Sequence, residues 1–389
     1  MKRALKFLFT FLAAAAFVFA MVIGLNYSGF ETLFENEAGM AEGSQYIENT
    51  YSLAGLAEFI GEHPEWVSIT SYNVNQPDSG IFYQENVPRA LGATANLFLL
   101  IEYERQIAEG LLNPTESISL TEIKKFALPE ISENNHNKLI EEFEDGSAPL
   151  DDVVLAMLQN SDLVSADYLW FRLGEENIRA LIDTLGMSET SLPLPFSGMY
   201  TRINPSLNDT SVLNKLSYSD FAEQSIAEAR KLKDDADYNQ KVKDQFYDDR
   251  LSITFMQERD ALAYFPQATT NQLTQLMTLL LDNEIINSEV SEAVKNKLRW
   301  PMGSEPITRS FKDYGAIYDN RMGLLGGIDF GTSIYDGHTS VQAVFFDQLP
   351  VGFWVHMSAN HMQEDYQQRL IWDPALYETT QNEIAGDNE

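Results

Sequence analysis

The stretch Arg89–Asn113, RALGATANLFLLIEYERQIAEGLLN, decides how the chain is read. Leu97, Phe98, Leu100, Ile101, Ile107, Leu111 and Leu112 recur at three- and four-residue spacings, the pattern of a largely buried amphipathic helix. Glu102, Glu104, Arg105 and Glu109 fall mostly on the other side. Gly110 followed by Pro114 ends the helix.

Around this helix the rest of the chain falls into order. Ser52 to Gly61 reads as a helix, and Trp66–Asn73 and Gly80–Gln84 read as strands joined by a Pro77-Asp78 turn. Leu120 to Leu150 is polar, with Asn134, Asn135, His136 and Asn137 suggesting a loop over a cleft. Asp151–Leu158 is a helix. Ser161-Asp162 reads as the cap of another that runs to Leu173 and stops at Gly174, and Glu175–Leu185 is a third. Gln272–Leu281 and Glu289–Lys297 come next as helices, then Gly327–Tyr335, Ser340–Phe346 and Val351–Met357 as strands. Strands, then helices, then strands predict an α+β fold: an antiparallel sheet built from both chain ends, a helical lobe between them, and a cleft between the lobes.

Composition narrows the function. The 389 residues carry 58 acidic against 26 basic side chains, a formal charge of −32, which excludes a surface that neutralises nucleic-acid phosphates. There is no cysteine, so disulfides, thiol nucleophiles and iron–sulfur ligation are excluded. The five histidines show no metal-ligand spacing, and no cofactor or metal is expected.

Residues 1–25 place Lys2, Arg3 and Lys6 before an uncharged apolar run from Phe7 to Leu25. The run is long enough to span a bilayer, and its flanking charges put the N-terminus in the cytoplasm. A cleavable signal peptide, with Val18-Phe19-Ala20 at its cleavage site, is the competing reading. Either one exports the remainder, as a membrane-anchored or a secreted domain. Residues 26–50 read as a juxtamembrane linker, 51–375 as one domain with a charged surface insertion over 205–262, and 376–389 as a disordered acidic tail.

Four blocks in sequence, Arg89–Asn113, Asp151–Leu192, Ala268–Met302 and Leu324–Phe346, resemble the serine β-lactamase and penicillin-binding-protein superfamily, its class A-like hydrolases in particular. The resemblance covers roughly Ser52 to Ala375. It implies a β-lactamase/transpeptidase-like fold carrying Ser-x-x-Lys, Ser-Asp-Asn and Lys-Thr-Gly. Here those positions read Ala93-Thr94-Ala95-Asn96, Ser161-Asp162-Leu163 and Asp329-Phe330-Gly331.

Acyl transfer needs a hydroxyl and a base within one helical turn. Alanine supplies no hydroxyl, and asparagine is no base. No serine lies between Ser79 and Ser117, no lysine lies between Lys6 and Lys124, and none follows Lys312. Thr94 is the one hydroxyl left in the turn, a weak nucleophile at a position where relatives pack a small hydroxyl inward. Ser161, Asp162 and Gly331 are retained; Leu163 offers no hydrogen bond to a substrate amide. LPLPFSGMY, without an acidic residue, stands where relatives carry a deacylation loop. The expectation is a catalytically inactive domain that binds or scaffolds an unknown ligand or protein at the cell envelope. The alternative is a divergent hydrolase using Ser161 with Asp162 or Asp329. With Asp329 in place of lysine, the cleft is expected to repel carboxylate ligands.

Overall fold

The computed structural model describes residues 37–129, 131–143, 145–248, 253–298, 316–320, 327–335 and 338–386, with the backbone alone over 316–320 and 327–335. The chain opens with α1 (Glu37–Ile47) and α2 (Leu53–Glu62), the latter capped by Ser52, whose Oγ accepts from the Gly55 amide. Strands β1 (Val67–Asn73), β2 (Gly80–Tyr83) and β3 (Arg89–Ala90) lead to the central helix α3 (Asn96–Ala108). The helical lobe continues with β4 (Ser117–Ser119), α4 (Leu120–Ile123), α5 (Glu133–Glu142), β5 (Ser147–Pro149), α6 (Leu150–Gln159), α7 (Leu163–Leu173), α8 (Glu175–Thr184) and α9 (Phe196–Ile203). Then come α10 (Tyr218–Asp234), α11 (Ala236–Asp248), α12 (Phe255–Ala261), β6 (Gln267–Ala268), α13 (Thr270–Leu281) and α14 (Ser288–Leu298). Strands β7 (Ala316–Asn320), β8 (Gly327–Tyr335) and β9 (His338–Phe346) return to the sheet, and α15 (Val351–Ala359), α16 (Met362–Trp372) and α17 (Pro374–Ala385) close the chain.

The main sheet has the order β2-β1-β9-β8-β7 and every pairing is antiparallel, so both chain ends meet at its centre. β1 runs against β9 from Val67↔Phe346 to Asn73↔Ser340. Alternation along β9 divides the core. Val341, Ala343 and Phe345 join the helical lobe, in one cluster with Leu97 and Phe98 of α3. Val344 and Phe346 face the other way, into a second cluster with Leu56 of α2, Phe353 of α15 and Tyr366 of α16.

Several expectations are corrected. The central helix begins seven residues later than read, after a 3-10 turn at Gly92–Ala95, and Glu102 and Glu104 are buried rather than solvent-facing. Glu102 is satisfied there by Arg105 at 2.6 Å and by the Gln106 amide at 2.6 Å. Residues 37–47 of the expected linker form α1, and 133–142 of the expected loop form α5. The charged segment 205–262 is no surface appendage: α10 and α11 send Phe221, Ile226, Leu232, Val242 and Phe246 into the core. Val351–Met357 is helical, not a strand. Its apolar run is covered by α1 on one side and the sheet cluster on the other, and such burial erases the period that separates strand from helix.

The expected disordered tail is α17 as far as Ala385. Asp373 caps it by accepting from the Ala375 and Leu376 amides, Pro374 occupies its first turn, and Leu376 and Thr380 are buried. Among the described residues no helix is long and apolar enough to cross a membrane; the apolar run of residues 1–25 lies outside them.

Candidate functional site

The first motif sits on a turn held from both sides. Arg89 is buried against β1, its Nε donating to Ser68 Oγ at 2.7 Å and its other nitrogens to the carbonyls of Pro64, Glu65 and Val67. The Leu91 amide donates to the Pro266 carbonyl at 2.7 Å, beside the β3–β6 pairing. Gly92, at φ +52°, then turns the chain into the 3-10 segment, a backbone conformation that a side chain disfavours.

In this turn Ala93 is half-buried, and Thr94 is buried with its hydroxyl donating to the Leu91 carbonyl. Thr94 therefore already has a backbone partner and no base beside it in its turn. Asn96 is buried at the first position of α3, and its Nδ2 has no hydrogen-bond partner among the described residues. A buried amide without a partner costs about 1–3 kcal/mol. The turn thus holds one hydroxyl, that of Thr94, and no titratable side chain.

The second motif lies at the junction of α6 and α7, and α3 packs on both helices. Ser161 is exposed and left-handed, at φ +50°. Asp162 is fully buried. Its Oδ1 accepts from the amides of Val164 at 3.0 Å and Ser165 at 3.3 Å, capping α7. Its Oδ2 accepts from Ser165 Oγ at 2.6 Å and meets His136 Nδ1, on α5, at 2.9 Å. The carboxylate contact assigns the ring proton to Nδ1 and leaves Nε2, also buried, without a partner among the described residues.

Serine, aspartate and histidine are the residue types of an acyl-transfer triad, but the connectivity differs. In a triad the hydroxyl donates to the ring, which leans on the carboxylate; here hydroxyl and ring both lean on Asp162, and all three side chains are 0 % exposed. The cluster is a helix cap and a tie between α5 and α7. Leu163, half-buried, opens α7. The sequence reading set His136 in a loop over the cleft and missed its pairing with Asp162, because 26 residues separate the two.

A second carboxylate on α7 also escaped the sequence reading. Asp167 is buried and accepts from the amides of Phe196 at 2.6 Å and Ser197 at 2.7 Å, at the start of α9. Burial pushes its pKa up to about 7, against the pull of these donors. The segment LPLPFSGMY is thus tied down as a helix start. Trp170 Nε1 donates to the Pro193 carbonyl at 2.7 Å, and the buried Tyr200 hydroxyl donates to the buried Glu258.

The third motif is on β8. Asp329, Phe330 and Gly331 pair with Val344, Ala343 and Gln342 of β9, and with Asn320, Asp319 and Tyr318 of β7 on the other side. The side chains of Asp329 and Phe330 lie outside the described residues. The structure thus joins the first two motif blocks through α3, α6 and α7, and gives the third its place in the sheet.

A family model described as the beta-lactamase enzyme family matches residues 54–349. Among solved structures, a beta-lactamase from Chitinophaga pinensis DSM 2588 is 13% identical with a TM-score of 0.54, covering 83% of this chain and 99% of its own. A beta-lactamase from Sphaerobacter thermophilus DSM 20745 is 16% identical with a TM-score of 0.52, covering 82% and 96%. The chromosome-encoded beta-lactamase of Vibrio parahaemolyticus is 11% identical with a TM-score of 0.51, covering 83% and 100%. Among curated proteins none matches the chain. With the helical lobe set into an antiparallel sheet made from both chain ends, and the family model spanning that whole arrangement, this chain belongs to the beta-lactamase enzyme family and has its α+β, β-lactamase/transpeptidase-like fold.

Proposed function

We propose that this member of the family performs no acyl transfer and acts by binding: an exported domain, held at the membrane through residues 1–25, that scaffolds or recognises a ligand or protein at the cell envelope. One observation carries the reading. The positions that supply nucleophile and base in active relatives hold Ala93 and Asn96, and the only hydroxyl in the turn, on Thr94, is buried and donates to the Leu91 carbonyl. Removing nucleophile and partner together leaves only the residual rate that binding and oxyanion stabilisation provide.

Asp162 supports the reading, because its oxygens are occupied by the α7 cap, Ser165 and His136, leaving Ser161 no neighbouring base from this motif. Asp329, at the position of the lysine that attracts a substrate carboxylate in active relatives, removes that attraction. One charge pair at about 4 Å and an effective dielectric near 20 is worth roughly 4 kcal/mol before solvent reduces it.

The test uses the purified full-length chain with a chromogenic cephalosporin, a fluorescent penicillin and benzylpenicillin titrations. The expected result is turnover no faster than buffer, no covalent label, and benzylpenicillin binding that is weak and strengthens in Asp329→Lys. Turnover well above buffer, or a label on Thr94 or Ser161, overturns the proposal in favour of a divergent hydrolase.

A further inference from the structure

A second candidate binding feature lies away from the motifs. The 3-10 turn Lys124–Phe126 that succeeds α4, together with α5 and α11, encloses a groove of about 520 Å³ with Leu120, Ile140 and Phe143 as apolar lining. Three lysines, Lys124, Lys125 and Lys243, line the same groove, and none of its described lining residues is acidic. In a chain with 58 acidic and 26 basic residues, three ammonium groups line this one apolar pocket, and the carboxylates that pair with two of them stand outside its lining.

The walls are fixed by two clips from α11. Asn239 Nδ2 donates to the Lys125 carbonyl at 2.7 Å, and Lys243 Nζ to the Lys124 carbonyl at 3.0 Å. Lys125 pairs with Glu122 at 2.6 Å and Lys124 with Glu133 at 3.5 Å, both partly exposed. Lys243 has no carboxylate within ion-pair distance among the described residues. Burial first, and then the neighbouring Lys124, hold its ammonium below the ordinary lysine range, and Glu133 opposes them. An anion placed between Lys124 and Lys243 would relieve that repulsion, while the apolar lining favours a ligand with a hydrocarbon body. The volume lies within the range of small-molecule sites.

We propose that this groove binds a small anionic amphiphile: a single phosphate or carboxylate head, held by Lys124 and Lys243, on a short apolar body seated against Leu120, Ile140 and Phe143. None of the lining residues belongs to the three motifs, so the proposal stands independently of the fate of the hydrolase chemistry.

The test is calorimetric titration of the full-length chain with hexyl phosphate and hexanoate, against inorganic phosphate and hexanol. At least one hexyl anion is expected to bind at least tenfold more tightly than both inorganic phosphate and hexanol, and to weaken as salt rises. The double variant Lys124→Gln/Lys243→Gln should lose at least tenfold in affinity, with Lys295→Gln unchanged. If the double variant does not fold, the salt series on the unaltered chain decides. Absence of binding by both anions, equal binding of hexanol, binding indifferent to salt, or full affinity in a folded double variant overturns the proposal.

Discussion

The turn at Gly92–Asn96 and the junction at Ser161–Asp162 stand where the family resemblance places two motifs of one catalytic unit, and the structure holds their side chains differently. In the first, the turn carries Ala93 and Asn96, and the buried Asn96 Nδ2 has no partner among the described residues. In the second, serine and aspartate persist, and the aspartate has four partners: two α7 amides, the Ser165 hydroxyl and the His136 ring. A residue whose role is chemical can be replaced without penalty to folding once the chemistry is no longer needed. A residue that also caps a helix and ties it to another can be retained by stability alone. The presence of Asp162 is therefore no argument for activity.

The sharpest way to break this comparison is Asp162→Ala. It removes the α7 cap and leaves a buried ring and hydroxyl unpaired, so unfolding free energy should fall by about 4 kcal/mol in denaturant titrations. A loss below about 1 kcal/mol would show that the carboxylate is not structural, and the contrast with the first motif would collapse.

The next effect concerns Asp167, which does for α9 what Asp162 does for α7. Its folded pKa near 7 lies above the unfolded value near 4, so the folded state keeps a proton that the unfolded state has released between those limits. Stability from this group is therefore full below about pH 4, falls as pH rises toward 7, and stays low above it, an amplitude on the order of 4 kcal/mol. Asp167→Asn lacks this dependence but turns an amide nitrogen toward one backbone N–H, at about 1–3 kcal/mol. The variant should be the less stable protein at pH 4 and the more stable one at pH 8, because the wild type loses about 4 kcal/mol over that range against a constant penalty of about 1–3 kcal/mol. Asp347, pushed up to about 6 by burial, titrates with the same sign in both proteins and cancels in the difference. Parallel stability–pH curves would show that Asp167 does not titrate in this window.

The smallest effect is at the first motif. Asn96→Leu exchanges a buried amide whose Nδ2 lacks a partner among the described residues for an apolar side chain of similar size, and should be neutral or stabilising by up to about 1 kcal/mol in the same titrations. A clear loss would mean that Asn96 has a structural partner and that both motifs are held by folding.

How much of this was legible depended on whether a signal was local. The strands of the sheet, the core helix and the cap at Asp162 could be read because each is written in a few adjacent residues. Asp373-Pro374 is an equally plain start signal for α17, obscured by the acidic composition of the chain's last residues. The helix at Val351–Ala359 could not be read. It packs where Gly43 and Gly352 let α1 cross α15 in near backbone contact: a Cβ on Gly43 would meet the Phe353 nitrogen at 2.1 Å, and one on Gly352 the Met40 carbonyl at 2.2 Å. That pairing spans most of the chain and leaves no local trace. The same holds at the site, where Ala93, Asn96 and Leu163 were visible as missing chemistry. His136 and Asp167 were not visible, because their roles are defined only by partners on other helices.

The pairing of β1 with β9 bears on how the protein is made. During synthesis β1 and β2 emerge early, and the strand that completes the centre of the sheet emerges only when nearly the whole chain has been translated. Until then the inner edge of β1 has no partner, and the apolar face that α15 and α16 later cover lies open. Contacts so distant in sequence make for slow folding, and unpaired strand edges invite association. The helical lobe between the strands can gather its own core during that interval, so the natural order of assembly is lobe first, sheet last.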